Sequence, residues 1–96
     1  MIFLIGHALN AEKYKNMNTY KTTHRASCPN GNLMDTYQIT IKSKATIMVE
    51  DIISTLENAP NPIFQESLAD HLRNVLGAEI IVSGTHYGIE IESHRK

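Results

Sequence analysis

Two runs of strict alternation, Tyr37-Gln38-Ile39-Thr40-Ile41 and Tyr87-Gly88-Ile89-Glu90-Ile91-Glu92, bracket two stretches of helical period. Alternation places apolar side chains on one face of a strand and polar ones on the other. Between the runs, Val49, Ile52, Ile53 and Leu56 recur at i, i+3, i+4 and i+7, one apolar stripe of a helix. A second stripe follows at Phe64, Leu68, Leu72, Val75 and Leu76. Asn61 suits its N-cap, with Pro62 at the first helical position and Gly77 at the C-terminal stop. Thr19 to Arg25, rich in Thr and Tyr, suits a further strand, with a loop from Ala26 to Leu33 after it. Ile80 to Val82 suits a short strand, with Ser83-Gly84-Thr85 as a tight connection to the last one. The order is ββααββ, an α+β sandwich with two helices on one face of an antiparallel sheet. The repeated Tyr-x-Ile-x-Ile is too short to mark an internal repeat.

With 96 residues the chain is expected to be one domain, residues 1–96, with a modest core. Residues 1–17 read as a tail or short strand: Met1-Ile2-Phe3-Leu4-Ile5-Gly6 has no basic residue before it and breaks at His7 and Asn10, unlike a secretion signal. No stretch is long enough to span a bilayer. A formal net charge of −1 argues against an electrostatically driven binder of membranes or nucleic acid, though it leaves room for a local patch. A lone cysteine fits a reducing compartment, so the expected location is the cytoplasm.

That cysteine, Cys28, is also the leading chemical candidate. It has no partner thiol for a disulfide and none for a multi-cysteine zinc site. Ser27, Pro29, Asn30, Gly31 and Asn32 around it are turn formers, and Asp35 follows seven residues on. A thiol on a turn beside a carboxylate suits covalent chemistry, in which the thiolate attacks an electrophilic carbon and the acid moves protons. The alternative role for Cys28 is that of a small buried hydrophobe.

Glu66, immediately after Gln65 near the start of the second helix, is the other candidate. A carboxylate there is favoured by the helix dipole, and it can also accept two hydrogen bonds from a planar edge such as N1 and N2 of a guanine-type base. The five histidines, at 7, 24, 71, 86 and 94, have no metal-binding spacing. His86 falls on or beside the last hairpin. There is no Gly-rich phosphate loop and no serine-hydrolase elbow.

Cys28-Pro29 with Asp35, Met48-Val49-Glu50, Gln65-Glu66 ahead of a Leu-Ala-x-x-Leu helix, and the closing Ile80-Ile81-Val82 to His86-Tyr87-Gly88-Ile89-Glu90-Ile91-Glu92 resemble a known group of enzymes. These are the nitrile reductases of queuosine synthesis and, more closely, the short QueF-like amidinotransferases of archaeosine synthesis. The resemblance spans about Ser27 to Glu92. It implies the tunnelling fold (T-fold), subunits assembled into a homo-pentamer or homo-decamer, and active sites between subunits. GTP cyclohydrolase I has a similar helix and Thr-His strand but needs zinc on two cysteines and a histidine. Here Gly88 stands where the later cysteine would fall, and no metal is expected.

The resemblance further implies that Cys28 attacks the nitrile carbon of 7-cyano-7-deazaguanine, as base or nucleoside in tRNA or DNA, to form a thioimide. Asp35 would protonate the nitrile nitrogen, and Glu66, Gln65, Glu50 and His86 would hold the substrate. Ammonia would then give a formamidine with no cofactor; the alternative is two hydride transfers from NADPH. The reductases carry a lysine- and serine-rich NADPH motif after the position of Glu50, whereas Asp51-Ile52-Ile53-Ser54-Thr55 follows here, which favours ammonia. Reductases and some of the short relatives have His where this chain has Gln65, which can donate a hydrogen bond but cannot transfer a proton. A third alternative is a purine- or pterin-binding T-fold protein without catalysis.

Overall fold

The computed structural model describes residues 16–31 and 33–96; the expected strand or tail at the N-terminus, His7 and the turn residue Asn32 lie outside them. Four strands, β1 (Asn18–Ser27), β2 (Met34–Ser43), β3 (Glu79–His86) and β4 (Ile89–Arg95), form one antiparallel sheet in the order β1-β2-β3-β4. Between β2 and β3 come the helices α1 (Val49–Glu57) and α2 (Gln65–Leu76). The expected ββααββ order is the one observed.

The alternation of β2 has the predicted consequence. Tyr37, Ile39 and Ile41 point to the helices with at most 1% exposure, and Ile80 and Val82 of β3 join them. Leu68, Ala69 and Leu72 of α2 close the core from above, with Ile52 and Leu56 of α1 at its margin. Each large apolar side chain so buried stabilises the fold by about 2 kcal/mol.

The periodic stripes are narrower than the sequence predicts. Val49 and Ile53 of α1 and Val75 of α2 are about half exposed, because α1 packs mainly along α2 and only α2 lies over the sheet. Gly77 ends α2 in the left-handed region, at φ 64°, and its N–H donates to the Arg73 carbonyl, as the sequence suggests.

Three boundaries differ. β1 runs on through Ala26 and Ser27, which pair with Asp35 and Met34, so the loop shrinks to the residues after Ser27. α2 starts at Gln65 rather than Pro62. Asn61 does not cap it: its Oδ1 accepts the Ser27 N–H at 2.9 Å, and the Ile63 N–H donates to the Ser27 carbonyl at 3.0 Å. These bonds tie the segment before α2 to the end of β1. Finally, Ser83-Gly84-Thr85 is interior to β3, and the hairpin turns at Tyr87 and Gly88, with φ of 52° and 80°. Two positive φ values suit a tight two-residue turn between twisted strands.

His24 lies on β1 opposite Tyr37, and burial lowers its pKa below the ordinary 6.5. The unfolded chain therefore binds that proton more readily. The stabilisation is complete above about pH 6.5 and is lost as pH falls through the lower, folded-state value. Thermal unfolding from about pH 8 to about pH 5 should show Tm falling, and His24→Gln should flatten that fall. An unchanged slope in the variant would remove His24 as a cause.

Candidate active site

The β1–β2 loop, the first turn of α2 and the β3–β4 turn meet around a cavity of about 520 Å³. Cys28, Asp35, Tyr37, Gln65, Glu66 and His86 line it. Of the residues singled out in the sequence, five are thus brought together in one protomer. Glu50 is not: it is exposed in the first turn of α1, outside this cavity.

Local folding accounts for each position. Cys28 follows directly on β1, where its N–H donates to the Leu33 carbonyl (3.4 Å) and its carbonyl accepts the Gly31 N–H (3.2 Å). That turn holds the half-buried thiol close to the start of β2. Asp35 and Tyr37 are two apart on β2 and so share the helix-facing side. Gly84 and His86 share the same side of β3.

Asp35 is the centre of a small polar group. Tyr37 Oη donates to its Oδ2 at 3.3 Å, and His86 Nδ1 lies 3.7 Å from the same oxygen. The Tyr37 and His86 rings are tilted at 45° with centroids 6.3 Å apart. Burial raises the Tyr37 phenol to a pKa of about 12, helped by the Asp35 charge, the hydrogen bond to Asp35, and negative charge on Cys28 and Glu66. The phenol therefore stays a hydrogen-bond donor throughout the neutral range. Cys28, Asp35 and Glu66, from three separate elements, line the cavity together with Tyr37.

Gln65 is placed differently from the substrate contact expected of it. Its side chain is 3% exposed, and Nε2 donates to the Val82 carbonyl (2.9 Å), the Ile91 carbonyl (2.9 Å) and Ser93 Oγ (3.3 Å). The amide protons are engaged within the protein, pinning the start of α2 to β3 and β4. Glu66, the next residue, is thereby held at the cavity. Gln65 Oε1 is buried without a hydrogen-bond partner among the described residues.

Two contributors escape a sequence reading. Tyr37 reads only as a core residue, although a Tyr two positions after Asp35 on a strand is the signal that its hydroxyl could reach the carboxylate. Gly84 reads as a turn, but a Cβ there would sit 2.8 Å from Tyr37 Cδ1 and 2.9 Å from Gln65 Oε1. Among the described residues no three His, Cys, Asp or Glu side chains converge as metal ligands. No helix there is long and apolar enough to cross a membrane.

Gly84→Ala should therefore force the Tyr37 ring and Gln65 apart, at a cost of about 1–3 kcal/mol, as for overpacked cores. Thermal unfolding measures it, and an unchanged Tm would contradict the close approach.

No protein-family model and no curated protein sequence matches the chain. The crystal structure of the archaeosine synthase QueF-Like in its apo form matches with a TM-score of 0.71, over 83% of this chain and 91% of that one, at 20% identity. With the ββααββ order and the single antiparallel sheet, the likeness establishes the architecture: the chain has the T-fold of the QueF-like proteins.

Proposed function

We propose that the chain is an enzyme of 7-deazaguanine modification that converts the nitrile of 7-cyano-7-deazaguanine to a formamidine. The observation that carries this reading is the convergence of Cys28, Asp35 and Glu66 on one cavity, in a fold shared with an archaeosine synthase. Cys28 attacks the nitrile carbon, and the thiol proton passes by way of Asp35 to the nitrile nitrogen, leaving a thioimide. Glu66 accepts hydrogen bonds from the 2-amino group and ring N–H of the deazaguanine, which fixes the nitrile over the thiol. Tyr37 holds the Asp35 carboxylate in place through its phenol O–H. Ammonia then displaces the sulfur.

The choice of ammonia over NADPH rests on charge. Glu50 and Asp51 occupy the first turn of α1, and no Lys or Arg occurs from there until Arg73. A dinucleotide needs its phosphates neutralised, and this segment repels them. Ammonia needs access and a proton acceptor.

Assembly is the second part of the proposal. β1 and β4 are the two open edges of the sheet, and open edges call for cover. Lys21 and Arg25 on β1 and Glu90 and Glu92 on β4 lie on the sheet face turned from the helices: Thr23, Gln38, Ser83 and Glu92 are in lateral register across the four strands. Opposite charges on opposite edges favour head-to-tail pairing, which closes into a ring when the rotation allows. The expected product is a homo-pentamer or homo-decamer with the active sites between subunits.

Two measurements test these statements. Given 7-cyano-7-deazaguanine as free base, nucleoside, tRNA or DNA, the protein should release formamidine with an ammonium salt and no NADPH, faster at higher pH as free ammonia increases. Cys28→Ala should abolish turnover while shifting stability by no more than about 0.5 kcal/mol. Consumption of NADPH with an aminomethyl product, and no reaction with ammonium, would make the protein a reductase. Turnover by Cys28→Ala would remove the covalent mechanism. For assembly, sedimentation at micromolar concentration should give a pentamer or decamer that Glu90→Lys with Glu92→Lys weakens; a stable monomer would contradict the ring.

A further inference from the structure

A thioimide that is to accept ammonia needs more proton handling than one carboxylate at the imide nitrogen supplies. The attacking nitrogen must lose a proton and the departing sulfur must gain one. Gln65, one of the two helix residues at the cavity, cannot do either, and its N–H groups are engaged by Val82, Ile91 and Ser93. His86 is the only imidazole at the cavity among the described residues, and its Nδ1 lies 3.7 Å from Asp35 Oδ2. It enters from the end of β3, a different element from Cys28 and Glu66, and it is partly open to solvent and hence to dissolved ammonia. The other titratable groups lining the cavity are Cys28, Asp35, Tyr37, Glu66 and Tyr87, and Tyr37 is fixed as a donor to Asp35.

We infer that His86 is the base of the second half-reaction, a role that rests on the nitrile reading above. The thioimide nitrogen takes a second proton from solvent and, as the cationic =NH2+, pairs with the Asp35 carboxylate; ammonia adds to the carbon of this thioimidium. As the C–N bond forms, the neutral imidazole takes one proton from the ammonia nitrogen. The C–S bond then breaks, the electron pair leaves on Cys28 sulfur, and the imidazolium returns the proton to that sulfur. The product is the amidinium, Cys28 is again a thiol, and His86 is again neutral. No redox step occurs. The division of labour gives Asp35 the imide nitrogen and His86 the nitrogen–sulfur exchange.

The test separates the two half-reactions in the full chain. Adduct formation with 7-cyano-7-deazaguanine is followed by intact mass, and the isolated adduct is then mixed with ammonium salt or with hydroxylamine, a stronger nucleophile less dependent on a base. In His86→Asn, release by ammonia should slow about 100-fold, the scale of general-base catalysis. Release by hydroxylamine should change far less, and added imidazole should restore part of the ammonia rate. A circular dichroism spectrum and Tm matching the parent exclude misfolding as the cause. Equal slowing with both nucleophiles, no rescue by imidazole, or an unchanged ammonia rate would each overturn the role of His86 while leaving the nitrile reading intact. Failure of the parent protein to form any adduct would overturn the nitrile reading itself, and the role of His86 with it.

Discussion

The approach of the Tyr37 ring to the backbone of Gly84 is the contact on which both core and site depend. A strand position without a Cβ lets a fully buried aromatic lie against β3, with Gln65 Oε1 beside the same spot. From there the ring fills the core next to Ile39 and Val82, while its hydroxyl emerges at the cavity and holds Asp35. Any larger residue at 84 would displace the ring, and the carboxylate would lose its donor. The stability of the sheet and the orientation of the acid thus share one cause.

A second tie works from the other side. Gln65 anchors the first turn of α2 to two neighbouring strands, so Glu66 faces the cavity from a rigid element. Asn61 and Ile63 do the same for the approach to α2 by bonding the end of β1, the residue next to Cys28. Cys28, Asp35 and Glu66, the proposed nucleophile, acid and base-reading carboxylate, therefore sit on three elements that hydrogen bonds tie together. Reacting groups held this way need little rearrangement when substrate binds, which is the main advantage a small domain can offer.

The parts legible in the sequence are those set by local pattern. Alternation at Tyr37–Ile41 and the stripe at Leu68 and Leu72 encode burial directly, and Gly77 encodes a helix stop, so the element order could be read. Cys28 and Asp35 were legible as a pair because a hairpin brings residues seven apart together. What was illegible rests on side chains that bond across long separations: Asn61 to Ser27, 34 residues apart, and Gln65 to Val82, 17 apart. Gly84 misleads for a related reason. A glycine reads as a turn unless the ring that needs the space is known, and that ring belongs to another strand. The half-exposed Val49, Ile53 and Val75 show the same limit, since periodicity marks an apolar side without saying how much of it a neighbour covers.

The proposed function requires a covalent bond between Cys28 sulfur and a nitrile carbon in this cavity. Peptide mapping by mass spectrometry, after the protein has been mixed with 7-cyano-7-deazaguanine without ammonia, detects that bond. The peptide containing Cys28, and no other, should gain a mass equal to the whole cyano base. An unmodified Cys28 peptide from folded protein at saturating substrate would contradict it.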